Sequence, residues 1–386
     1  MRLNSILNTD ALSGLKTMLA KSIQCTVTSP PYWGLRSYGT DPISWPAVEY
    51  SILGFPISIP KMSCELGHEK DPKEFIGHMV LIFREVHRVT RDDGTLWLNI
   101  GDSFANSGKG EFEKSPWDKQ RSNRGSRTIN EPNKSNKFRS KLFKPKDLIG
   151  IPWMLAFALR DDGWYLRQDI IWNKPNPMPE SVTDRCTKAH EYIFMFSKSQ
   201  KYYFDQEAIR TPVKDSTVQR MMQQIENQKG SDRVPGKTNG NMKAVGPGRK
   251  PRTEVDTRGG NQASETGIKA YSHRGTGDKK LTGHSGNFDA DGNLIGDGMA
   301  NKKSVWTVTT KPFKEAHFAT FPEELIVDCI KAGSRHDDLI LDPFMGAGTT
   351  ALVARKLLRN YLGIELNQKY IDIAIKRLSD ELGMFV

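Results

Sequence analysis

The chain has 386 residues, 37% of them hydrophobic, and a formal net charge of +11, which allows one large domain or two smaller ones around a substantial core. Four cysteines with no CxxC pair exclude a disulfide scaffold and give a zinc site no support. No apolar run reaches the ~20 residues of a membrane span, and the stretch from Met1 to Lys16 lacks the apolar segment of a signal peptide, so an intracellular, cytoplasmic protein is expected.

In chain order, Leu3 to Thr9 reads as a short strand and Leu12 to Ala20 as a short helix. The β-branched run Ile23 to Thr28 reads as a strand stopped by Ser29-Pro30-Pro31-Tyr32. Lys73 to Thr90 has helical periodicity, with Phe75, Met79, Ile82, Phe83 and Val86 on one face. Asp92-Asp93-Gly94 then reads as its terminator and Thr95 to Ile100 as a buried strand. Leu148 to Leu159 is a second apolar helix, and Tyr165 to Trp172 the next strand. Glu191 to Ser197 and Lys201 to Phe204 read as two strands joined by a tight turn. Toward the C-terminus come a helix (Pro322 to Ala332), a strand (Asp338 to Leu341), a helix (Thr349 to Leu358), a strand (Tyr361 to Ile364) and a last helix from Gln368 to Leu382. Strands alternating with helices predict an α/β fold with a doubly wound, mostly parallel sheet.

Two polar stretches interrupt this rhythm. Residues 105–147 carry twelve Lys/Arg against five Asp/Glu, and residues 211–303 carry sixteen against ten. The excess positive charge sits there, and the rest of the chain is slightly acidic. Both read as insertions into one core made of residues 1–104, 148–210 and 304–386. Such basic segments suit a polyanion, although solvated basic loops have the same composition.

Leu339 to Ala351 reads strand, glycine turn, helix: Gly346 and Gly348 let a ligand approach the backbone at the strand's carboxyl end. Glu365 ends the next strand, where a carboxylate accepts bonds from both hydroxyls of a ribose. Gly346-x-Gly348-x-x-Ala351 also fits a dinucleotide fingerprint, so the turn alone leaves an NAD-dependent oxidoreductase open beside an S-adenosylmethionine site. Asp342, between the apolar strand and Pro343, suits an α-amino group and repels a pyrophosphate.

Thr28-Ser29-Pro30-Pro31-Tyr32-Trp33 holds the second constellation. Two prolines fix the backbone, so the carbonyls of Ser29 and Pro30 become rigid acceptors beside the ring of Tyr32. Acceptors for both hydrogens of an exocyclic amino group localise its lone pair, and the ring stacks on the base. A base reaches such a pocket only after leaving the duplex.

Together these segments resemble amino-methylating DNA methyltransferases. Thr28 to Trp33 resembles their catalytic motif, and Asp342 to Thr350 their cofactor loop. With the catalytic motif first, the order is similar to the circularly permuted β-class, and the matches cover most of the chain outside the insertions. The resemblance implies S-adenosylmethionine as cofactor and Ser29, Pro30, Pro31 and Tyr32 as catalytic residues. It implies cofactor contacts from Asp342, Phe344, Gly346, Gly348, Thr349 and Glu365. Ala316 to Pro322, with Thr320 and Phe321, is similar to the methionine-binding segment, and Asp10 is placed like the acidic residue near the adenine; helix capping explains Asp10 equally well. Trp172 to Pro179 resembles the loop lining the base pocket, which adds Trp172, Lys174 and Pro175, with Trp33, to the substrate contacts. His190-Glu191-Tyr192-Ile193 resembles the start of the strand that follows. Ser-Pro-Pro-Tyr is usual for N4-cytosine enzymes, and N6-adenine remains the alternative. No cysteine follows a proline, which opposes C5-cytosine chemistry. The implied partners are double-stranded DNA and a cognate restriction endonuclease, in a bacterial or phage-infected cell. Residues 211–303 occupy the place of the target recognition region, and residues 105–147 that of a clamp on the phosphates.

Overall fold

The computed structural model describes residues 2–34, 41–105, 143–213, 287–288, 294–295, 299–310 and 321–383. The chain divides into two compact units, residues 1–209 with 303–386, and residues 210–302. The first begins β1 (Ser5–Asn8), α1 (Ala11–Lys16), β2 (Ile23–Thr28). Two antiparallel hairpins follow, in which β3 (Ile43–Trp45) pairs with β6 (Met62–Cys64) and β4 (Val48–Ile52) with β5 (Phe55–Ile59). Next come α2 (Pro72–Val89), β7 (Thr90–Ile100), α3 (Ile151–Asp161), β8 (Tyr165–Asn173) and β9 (His190–Ser197). In the second unit, β10 (Thr211–Pro212) pairs with β13 (Met299–Ala300) and β11 (Asn287–Phe288) with β12 (Leu294–Ile295). The first unit resumes with β14 (Val305–Thr307), α4 (Glu323–Gly333), β15 (Leu339–Asp342), α5 (Thr349–Lys356), β16 (Asn360–Glu365) and α6 (Gln368–Leu382).

Eight strands form one sheet in the order β1-β16-β15-β2-β7-β9-β8-β14. Only β9 runs against the rest: it pairs antiparallel with β7 and β8, and the other neighbouring pairs are parallel. All six residues of β2 are buried, as befits a central strand covered on both faces. The mostly parallel, doubly wound α/β fold expected from the alternation is the one observed.

Local chemistry explains the main helices. Asp71 and Glu74 form a capping box at the start of α2, and Pro72 sits where a missing N–H costs nothing. Its inner face buries Phe75, Ile76, Met79, Ile82, Phe83 and Val86, each contributing about 1.5–3 kcal/mol of transfer energy. Asp102, just past β7, caps α3 from outside, accepting from the amides of Gly150 and Ile151. The same region closes the base of the first insertion, where Ala105 N donates to Asp147 O and Lys146 N to Ala105 O.

Three local expectations change. Asp92-Asp93-Gly94 lies inside β7, which starts directly at the end of α2. The carbonyls of these turn-like residues are taken up by Ser199 Oγ, Tyr203 N and Lys198 N, so the extended backbone is satisfied. Lys201 to Phe204 is not a strand, because β7 and β8 occupy both edges of β9; Phe204 instead stacks on Trp97, with centroids 6.4 Å apart. The hairpins over residues 43–64 and the short β14 were not anticipated. No helix among the described residues is long and apolar enough to cross a membrane.

Candidate active site

β2 and β15 lie side by side and parallel, with Cys25 opposite Ile340 and Thr26 opposite Leu341. Ser29-Pro30-Pro31-Tyr32 and the glycine turn therefore leave adjacent strands at the same end of the sheet, the position where open α/β sheets bind ligands. Both line one cavity of about 480 Å³, together with Asp10, Asn99, Trp172, Lys174, Glu191, Phe321, Phe344, Thr349 and Glu365.

Asp342 is 2% exposed, with both carboxylate oxygens engaged. Oδ1 accepts from Thr28 Oγ1 at 2.6 Å and from Phe344 N at 3.0 Å, and Oδ2 from Thr350 Oγ1 at 2.7 Å. Loss of water outweighs these bonds and pushes its pKa up to about 6, with nearby Glu365 adding a smaller upward push. Glu365 is also raised, chiefly by burial. Its Oε2 accepts from Gly346 N at 2.9 Å and its Oε1 from Asn367 N at 2.8 Å, and the Leu366 amide also faces the carboxylate, which fixes it at the end of β16. Gly348 has φ +79°, and a Cβ there would lie 2.8 Å from that of Ala374, so glycine is required to pack the turn against α6. Asp10 caps α1 through Ser13 N at 2.8 Å while also lining the cavity, so the two readings of this residue coexist.

Across the cavity, the Tyr32 hydroxyl lies 2.8 Å from Glu191 Oε2, 3.2 Å from Asn99 Oδ1 and 3.4 Å from Ser29 Oγ. Lys174 Nζ donates to Glu191 Oε1 and sits 4.1 Å from the centroid of the Trp172 ring. Trp172 is held by Nε1 donating to Val308 O at 2.8 Å, and Asn176 ties the same loop to Thr310. The edge of the Tyr32 ring rests on Gly101, where a Cβ would come within 2.5 Å of Cε2.

Not every expected residue joins this cavity. Trp33 is 4% exposed and donates from Nε1 to Glu69 O, so it packs in the core instead of facing a substrate. Pro175 is exposed and outside the lining, and Gly348 shapes the turn from behind it. Thr320 lies outside the described residues. Reading the sequence missed Glu191 and Asn99. The available signal was a single polar side chain near the carboxyl end of an apolar strand (Asn99) and a carboxylate opening another (Glu191). Nearby, Cys64, Glu69 and His78 come together. His78 Nδ1 lies 2.8 Å from Glu69 Oε1, and burial pushes the Cys64 thiol up to about 12, which describes a hydrogen-bonded pair beside a neutral thiol.

The fold and cavity define a doubly wound α/β protein with its ligand site at the carboxyl ends of two central strands. A family model described as DNA methylase matches residues 23–376. The Type II methyltransferase M.Cfr9I of Citrobacter freundii is 38% identical over 380 residues, 96% of this chain and 86% of the relative. M.SmaI of Serratia marcescens is 35% identical, over 96% of this chain and 88% of its own. The solved PvuII DNA methyltransferase (cytosine-N4-specific) superposes with a TM-score of 0.51 at 14% identity, covering 99% of this chain and 92% of that one, a likeness of fold. The chain belongs to the N6/N4 DNA methylase family. Its cofactor is S-adenosylmethionine. The site fits that molecule: two fixed carboxylates flank the glycine turn, and Lys174 is the one basic residue in the described cavity wall. An acidic cradle suits a cation with a ribose diol and opposes the pyrophosphate of a dinucleotide.

Proposed function

We propose that the protein methylates the N4 amino group of a cytosine in duplex DNA, as the modifying enzyme of a Type II restriction system. The observation that carries this reading is that Ser29-Pro30-Pro31-Tyr32 and the Asp342/Glu365 cradle open into one cavity from adjacent strands. Glu365 holds the ribose hydroxyls, Asp342 with Phe321 the amino-acid end, and Asp10 the adenine side. Phe344, Gly346 and Thr349 complete that wall, and the bound cofactor supplies an electrophilic methyl group.

The carbonyls of Ser29 and Pro30 accept the two hydrogens of N4, and Tyr32 stacks on the base. The amino lone pair forms the new N–CH3 bond as the S–CH3 bond breaks, and one N4 proton leaves to water. Ser29 is neutral and needs no proton of its own. The base is turned out of the helix to enter. Residues 211–303 read the sequence, and residues 105–147, whose ends meet where Ala105 N donates to Asp147 O, hold backbone phosphates.

The test is incubation with labelled S-adenosylmethionine and mixed-sequence DNA, followed by digestion and mass spectrometry of the nucleosides. Labelled N4-methylcytosine, absent with Tyr32→Ala, is expected. Labelled N6-methyladenine would overturn the choice of base and keep the roles of the cradle.

A further inference from the structure

Lys174 has three N–H donors. One is spent on Glu191 Oε1, and the charge rests against the Trp172 face. Glu191 Oε2 faces the Tyr32 hydroxyl at 2.8 Å and Asn99 Nδ2 at 3.3 Å. The side chains of the pair are only 16% and 18% exposed. An ion pair this withdrawn from water is a poor stabiliser, since desolvation offsets its attraction. What it does provide is an N–H donor at a fixed place in the cavity wall, locked to the ring that stacks on the base.

We propose that the Lys174–Glu191 pair selects the target base, the Lys174 ammonium donating to the N3/O2 edge of the extruded cytosine. This rests on the cytosine reading above. A cytosine with N4 at Ser29 presents two adjacent acceptors, N3 and O2, along one edge. An adenine with N6 there presents N1 and then a C–H, so a cation aimed at the second position finds nothing to bind. Glu191 is a positioning residue: it orients Lys174 and, through Oε2, the Tyr32 hydroxyl.

The experiment first locates the modified position by sequencing DNA methylated by the wild-type enzyme. Duplexes with cytosine or adenine at that position are then compared for wild type, Lys174→Met, Lys174→Arg and Glu191→Gln, with calorimetric S-adenosylmethionine binding as the control for folding. Loss of a charged hydrogen bond predicts a kcat/KM on cytosine roughly 10- to 100-fold lower in Lys174→Met. The cytosine-to-adenine ratio falls at least about tenfold, and cofactor Kd stays within about twofold. Lys174→Arg keeps most of the ratio, and Glu191→Gln falls between. If Lys174→Met does not bind cofactor, Lys174→Gln is read in its place. A variant that loses both activities equally, or keeps the wild-type ratio, overturns the proposal and leaves the cytosine reading standing. N6-methyladenine from the wild-type enzyme overturns both, and it is seen before any variant is made.

Discussion

Replacing Asp342 by Asn separates what this carboxylate does for the fold from what it does for a ligand. The carboxyl is buried, and its pKa lies near 6 instead of 3.8. Keeping it ionised at neutral pH therefore costs the folded state about 3 kcal/mol, at ~1.36 kcal/mol per pH unit. Asparagine fits the same contacts: its oxygen accepts from Thr28 and Phe344, and its amide donates to Thr350 Oγ1, whose own hydrogen turns to Val27 O at 3.4 Å. Asp342→Asn is expected to hold or gain stability in urea denaturation at neutral pH. The sign for the wild type follows from the raised value. The folded state keeps its proton to higher pH than the unfolded chain, so this group favours folding below 3.8 and loses that contribution as pH rises to about 6. With Asp342 in the proposed role, cofactor binding runs the other way, because an α-amino cation needs the ionised form. Wild-type affinity should climb between pH 5 and 7, and Asp342→Asn should bind roughly 10- to 150-fold more weakly at pH 7.5, the loss of a charge-assisted bond of about 1.5–3 kcal/mol. Glu365, raised by burial, adds a slope common to both proteins. Calorimetric titration across that range decides. An Asn variant that binds like wild type with the same pH profile, or loses more than about 2 kcal/mol of stability, refutes the reasoning.

Two other perturbations test neighbouring parts of the site. Gly101→Ala places a Cβ 2.5 Å from Tyr32 Cε2, and the displaced ring should lower methyl transfer at least about tenfold with cofactor binding unchanged; steady-state kinetics beside calorimetry measures both. His78→Ala leaves the fully buried Glu69 carboxylate without its 2.8 Å partner and removes the ring stacked on Trp45. A loss of about 3–5 kcal/mol in urea unfolding is expected.

What could be read from the sequence was chemistry that a few consecutive residues carry alone. Gly348 needs a left-handed backbone and close approach, and the prolines of Ser29-Pro30-Pro31-Tyr32 restrict their own dihedrals, so both turns announce themselves. The hairpins of residues 43–64 did not, because Pro46, Pro56 and Pro60 break the alternation that marks a strand. Nor did the polar wall opposite the glycine turn. Asn99, Glu191 and Lys174 meet only because β9 pairs antiparallel between β7 and β8, and no local pattern encodes that pairing. Trp33 erred in the other direction: adjacency in sequence to Ser29-Pro30-Pro31-Tyr32 placed it at the substrate, while the turn sends its ring into the core.

Thr28 and Asp342 are 314 residues apart, so chain connectivity does little to set the distance between the two motifs. Strand pairing sets it only as far as Leu341 and Thr26. Beyond that, one carboxylate joins the last residue of β2, the start of the glycine turn and the first turn of α5. The site thus requires two adjacent parallel strand ends and this bridge, whichever motif comes first along the chain. Thr28→Val keeps the shape and removes one arm. It should cost about 1–3 kcal/mol of stability, the penalty for a buried acceptor losing a partner. The Thr28 bond also holds the Asp342 pKa down, so its removal should move the pH midpoint of cofactor binding upward from about 6. Transfer should fall more than cofactor affinity at high pH, because the motif carrying Ser29 is the part set loose. Binding and transfer measured from pH 5 to 9 check this, and a midpoint that stays put or moves down would show that the bridge does not govern the ionisation of Asp342.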